Sequence, residues 1–177
     1  MKLHPAPSTP HGEGFFTWHA YDPSCKAEVW STGFTSPKGT VLFDPIAWPK
    51  DSPSPAAPVQ IVQTNANHDR SCADLGSYFG ASFTKEPGEF SAIPLPGAGE
   101  GETAYFHRPS GSLVLGDALI HLAPHGLMPL PDKYCTDPAL LRKSLTILLS
   151  LPIRRIFFAH GDPILQDGTE RIRKLLA

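Results

Sequence analysis

Three apolar runs in this 177-residue chain each stop abruptly at a polar, metal-capable signature. Residues 59–63 give way to Thr64-Asn65-Ala66-Asn67-His68-Asp69-Arg70. Residues 112–115 end at Gly116-Asp117, and residues 153–159 end at His160-Gly161-Asp162-Pro163. Short apolar runs bounded by turn residues read as buried strands. In layered α/β proteins such strand ends carry sites, because a rigid sheet holds side chains that the next loop presents to a ligand.

The rest of the pattern supplies partners for those strands. Residues 15–20 and 27–34 read as strands joined at Tyr21-Asp22-Pro23-Ser24, and residues 40–43 as a short buried strand ending at Asp44-Pro45. Cys72, Leu75 and Phe79 recur at helical spacing over 71–79, and Gly80 suits the end of that helix. Residues 81–83, 90–95 and 103–107 read as further strands. The glycine-rich Gly97-Ala98-Gly99-Glu100-Gly101 separates the last two. Residues 121–132 read as loop. Asp137-Pro138 caps a helix that reaches about Ser150 with Leu141, Leu145 and Leu148 on one face, and 169–176 reads as a closing helix. Sheets with flanking helices make an α/β (α+β) layered domain, one domain over 1–177.

Composition narrows the class. Hydrophobic residues make up 41 % and charged residues 18 %, the balance of a globular chain. The net charge of −2 offers no basic excess for a nucleic-acid backbone or an anionic membrane, and no run is long and apolar enough to span a bilayer. Residues 1–7 lack the apolar core of a signal peptide. The three cysteines, Cys25, Cys72 and Cys135, form no CxxC, so reduced thiols in a cytoplasmic protein are expected, with Cys72 a small buried residue. Twenty prolines predict many irregular loops, and apolar, proline-rich loops are compatible with a homodimer.

If the three strand ends share one sheet edge, Asp69, Asp117 and His160 converge. Aspartate and histidine together suit zinc, iron or manganese. Taken singly, each aspartate is better explained by capping the turn or helix after its strand. Glu100 and Glu102 read as solvated, and His121 and His125 as surface loop histidines.

The order of these motifs resembles the metallo-β-lactamase superfamily. The family pattern is a strand ending in T-H-x-H-x-D-H, then G-H-T-P-G, a strand ending in G-D, and a late strand ending in a G-H or H-G signature. Here those places are held by Thr64 to Arg70, Gly97 to Gly101, Gly116-Asp117 and His160-Gly161, so the resemblance covers nearly the whole chain. It implies a four-layer αββα sandwich. It also implies that the first metal's three histidines correspond to Asn65, Asn67 and Ala98, which are poor ligands or none. The second metal's set corresponds to Asp69, Arg70, Asp117 and His160.

Two readings follow from that substitution pattern. In one, the dinuclear site is gone and Arg70 neutralises Asp69 and Asp117 in place of an ion, with Asn65, Asn67, His68 and Arg70 lining a pocket for a small molecule. In the other, a single zinc, iron or manganese ion on Asp69, Asp117 and His160 activates water for hydrolysis of an ester, lactone, thioester or phosphoester, with Arg70 orienting the substrate. His68, one residue before Asp69, hydrogen-bonds within its loop or joins Asp117 and His160 as a ligand.

Overall fold

A computed structural model describes residues 3–177; Met1 and Lys2, at the head of the N-terminal segment considered above, lie outside the described residues. The chain divides into two compact units. One holds the residues up to Gln63 and His68–Pro87, the other Thr64–Asn67 and Gly88–Ala177.

The first unit is built on a six-stranded sheet in the order β1-β2-β3-β4-β5-β6. Its strands are β1 (Thr9–Gly12), β2 (Phe15–Asp22), β3 (Ala27–Ser36), β4 (Gly39–Phe43), β5 (Val59–Val62) and β6 (Ser82–Phe83). The first four pair antiparallel, while β4 with β5 and β5 with β6 pair parallel. The parallel step from β5 to β6 needs a crossover, and helix α1 (Cys72–Phe79) supplies it. Alternation along the strands directs Trp18, Ala20, Leu42, Val59 and Ile61 to the same cluster as Cys72 and Leu75 of α1. Gly80 closes the helix in the left-handed conformation at φ 62°, as expected of a glycine there. Strand β1 was not expected; its Thr-Pro-His-Gly sequence carries little β propensity and pairs through a bulge at the sheet edge.

The second unit has a four-stranded sheet in the order β12-β9-β8-β7, from β7 (Ser91–Pro94), β8 (Thr103–His107), β9 (Ser112–Leu115) and β12 (Arg155–Phe158). Strands β12 and β9 run parallel and the other pairs antiparallel. Helices α2 (Pro138–Leu145) and α3 (Gly168–Leu176) cover one face. Leu141, Leu145 and Ile172 pack there with Phe106, Leu113, Leu115, Ile156 and Phe158. Asp137 caps α2 by accepting from the Leu140 N–H at 2.9 Å, and the helix continues as a 3₁₀ turn over Thr146–Ser150. The 121–132 region is not plain loop. Strands β10 (Leu119–Leu122) and β11 (Gly126–Pro129) form a two-stranded hairpin there. Histidine and proline concealed it, since neither advertises a strand.

The three strand ends do not share one sheet edge: β5 belongs to the first unit's sheet, and β9 and β12 to the second's. Among the described residues no helix is long and apolar enough to cross a membrane.

Candidate functional site

Parallel pairing of β9 with β12 sets Leu115 opposite Phe158. Asp117 stands two residues beyond the first and His160 two beyond the second, so equal offsets bring them together. Asp117 Oδ1 lies 3.4 Å from His160 Nε2, and both side chains are partly exposed. The proximity of these two residues therefore follows directly from strand register.

Residues 64–67 are stitched into the same unit by their backbone. The Ala66 N–H donates to the Glu100 carbonyl at 2.9 Å, and the Thr103 N–H to the Thr64 carbonyl at 2.8 Å. Asn65, buried, therefore faces Asp117. Its Oδ1 accepts from the Asn67 N–H at 2.9 Å. That contact fixes the orientation of the amide, because an oxygen must face the N–H. The Nδ2 group then points the other way, donating to Glu102 Oε2 at 2.7 Å and to Asp117 Oδ2 at 3.0 Å. A metal ligand needs a lone pair directed at the ion, and here two N–H bonds are directed at carboxylates instead. Asn67 itself is exposed, and Ala98 is wholly buried in the helix-facing core.

Glu102 is the residue that the sequence reading misplaced. It is 2 % exposed rather than solvated. Oε1 accepts from the Ala118 N–H at 3.1 Å, which ties the carboxylate to the loop that carries Asp117. Burial pushes its pKa up from 4.5 to about 7, opposed by the Asn65 hydrogen bond and reinforced by the charge of Asp117. Gly116 allows this approach: a β-carbon there would meet Thr64 Oγ1 and both Glu102 oxygens, at 2.8 and 2.9 Å. A signal was present in the sequence. Glu102, Ala104 and Phe106 share one parity at the start of β8, and the last two face the helices.

In the first unit, His68 is 4 % exposed and its Nδ1 lies 2.8 Å from Asp44 Oδ2. An ionised carboxylate only accepts, so Nδ1 carries the proton and, in the neutral ring, Nε2 carries the lone pair. Carboxylates hold ligating and catalytic imidazoles in this way. Asp44 stands just past β4, in the left-handed region at φ 47°. Ser31 braces that turn, donating from Oγ to the Asp44 carbonyl at 2.8 Å and accepting from the Ile46 N–H at 2.9 Å.

Arg70 also adopts positive φ, at 37°. Its Nη1 donates to the carbonyls of Trp30 at 2.6 Å and Asp44 at 3.0 Å, so its cation is engaged by backbone oxygens of this unit. Asp69 is exposed, with Oδ1 accepting from the Arg70 N–H at 2.7 Å, the turn-capping role. Cys72 is buried as expected, and burial pushes its thiol up to about 12, out of nucleophilic range. His121 Nδ1 donates to the Asp162 carbonyl at 2.7 Å, and His125 is exposed.

No family model matches the sequence, and no curated protein does. The fold has many solved likenesses. The DIM-1 metallo-β-lactamase, in a crystal exposed to ceftazidime, is similar at TM-score 0.68 and 10 % identity over 99 % of this chain and 97 % of that one. A metallo-β-lactamase from Hirschia baltica is similar at TM-score 0.68 and 13 % identity, over 99 % and 98 %. TTHA1623 in a di-iron-bound form is similar at TM-score 0.57 and 22 % identity, over 81 % and 92 %. Identities this low speak for architecture alone. Since the match runs nearly from end to end of both chains, this protein has the metallo-β-lactamase fold, of the α+β class expected.

Proposed function

We propose that this is a metallo-hydrolase-like protein that has lost the dinuclear centre and retains, at most, a site for one divalent cation. The Asn65 amide carries this reading. Its two N–H bonds stand toward Glu102 and Asp117, where a first metal would need an acceptor, and its oxygen is held by Asn67. A buried Glu102 bridged by an amide to the partly exposed Asp117 is satisfied by hydrogen bonds and needs no cation to offset it.

The remaining donors fit one ion. Asp117 Oδ2 is held by Asn65, which leaves Oδ1 on the side of His160 Nε2. The strand-end segment of the first unit carries two further donors of its own, Asp69 and His68. Asp69 is exposed and caps its own turn, whereas Asp44 holds the His68 imidazole in the tautomer whose Nε2 is basic. Support for the one ion lies with Asp117 and His160 as ligands of the second unit. What a divalent cation supplies at such a site is a bound water of lowered pKa, suited to hydrolysis of an ester, lactone, thioester or phosphoester. Asn65 and Glu102 orient Asp117, and Asp44 orients His68.

Elemental analysis of the full chain, dialysed with and without added zinc, iron or manganese, tests this. The expected result is one equivalent or less, lost in Asp117→Asn and in His160→Ala. Two equivalents would refute the loss of the dinuclear centre. Retention in both variants would place the ion away from this pair. No metal in any form would leave a protein held by hydrogen bonds alone and turn the search to small-molecule binding.

A further inference from the structure

The first unit carries a cavity of about 930 Å³ on the α1 side of its sheet, in the size range of small-molecule sites. Val29, Ile46, Trp48 and Leu75 form its apolar lining. This lining is rigid: Trp48 packs edge-on against both Trp18 and Phe79, with centroids 5.1 and 5.3 Å away. Tyr78, 76 % exposed, stands at the same cavity, an aromatic left in water beside an apolar lining.

The charges at this cavity are unequal. Asp22 and Asp74 line it, and Arg70 is the one cation of its lining among the described residues. Arg70 directs Nη1 at two backbone carbonyls of its own unit, whereas Asp74 stands exposed in the first turn of α1. The side-chain and backbone hydrogen bonds from Ser24, with a smaller contribution from the Arg70 charge, hold the Asp22 carboxyl below its usual range, and its carboxylate is a negative charge at neutral pH. Two carboxylates, one engaged cation and an aromatic wall favour a ligand with a positive head and an apolar body.

We infer that this cavity is a binding site for a small apolar ammonium compound, with its hydrocarbon against Trp48, Ile46 and Leu75 and its cation toward Asp22 and Asp74. The site uses none of the residues assigned above to a metal, so it stands or falls separately from the proposed function.

Titration of the ¹⁵N-labelled full chain with hexylammonium, hexan-1-ol and hexanoate, followed by amide shifts, tests it. Hexylammonium is expected to shift amides of residues 22–24, 46–48 and 70–78 and to bind tighter than the alcohol, with hexanoate weakest. The variants Asp22→Asn and Asp74→Asn keep the side-chain shape and each weaken hexylammonium about two- to fivefold, leaving the alcohol unchanged. Equal binding of all three probes, or an unchanged response in the double variant, would overturn the charge selection. Shifts scattered away from those residues, or none, would overturn the site.

Discussion

Replacing Glu102 by Gln is expected to change how stability depends on pH. Burial raises the Glu102 pKa in the folded chain from 4.5 to about 7, and the Asn65 and Ala118 donors only partly oppose it. The folded state therefore keeps a proton that the unfolded chain has released. Between these two values the unfolded state binds fewer protons, so stability falls as pH rises. Each pH unit across that window is worth about 1.4 kcal/mol, which makes about 3 kcal/mol in all. Stability is full below pH 4.5, and the loss is complete above 7. Gln cannot titrate. Its oxygen still accepts from Ala118, but its amide nitrogen faces the Asn65 nitrogen, a pH-independent cost of about 1–2 kcal/mol. Urea unfolding of both proteins from pH 4 to 8, with chelator present, isolates the group, because other titrations cancel in the difference. The wild type is expected to lose about 3 kcal/mol relative to Glu102→Gln across the window. A difference that stays constant with pH, or grows in favour of the wild type, would refute the placement of Glu102 in a desolvated network.

Three further outcomes follow from the same geometry. Gly116→Ala drives a β-carbon into Thr64 Oγ1 and the Glu102 carboxylate, an overpacking cost of about 2 kcal/mol that lowers the unfolding midpoint; an unchanged midpoint would mean that this loop relaxes. Arg70→Ala removes charge-assisted bonds to the Trp30 and Asp44 carbonyls and should cost about 2 kcal/mol, partly restored in Arg70→Lys; no change in urea midpoint would show that the turn after β4 holds itself. Under native conditions a thiol reagent should modify exposed Cys25 rapidly and spare Cys72 until the chain unfolds, and Cys25→Ser should remove the fast phase.

Much of the architecture was legible in the chain because it is set by local chemistry. Short apolar runs bounded by turn residues produced β4, β5, β9 and β12 close to their expected bounds, and Asp137-Pro138 and Gly80 marked helix ends through their own backbone preferences. The β10–β11 hairpin stayed hidden because its residues owe their extended state to pairing, and strand propensity is largely a property of context.

The site divides along the same line. The residues themselves determined that Asn65, Asn67 and Ala98 bring no imidazole nitrogen to the places that the resemblance gives to histidines, since that is a matter of side-chain atoms. That Asp117 and His160 would meet required only that their strands be parallel neighbours, a register fact. That Glu102 is buried against Asn65 and that Asp44 holds His68 were decided by tertiary structure alone. These contacts join residues 37 and 24 positions apart, through hydrogen bonds whose partners local sequence does not specify. A glutamate in a glycine-rich loop looks solvated until the opposing segment brings it a donor and excludes water, and only the folded chain provides both.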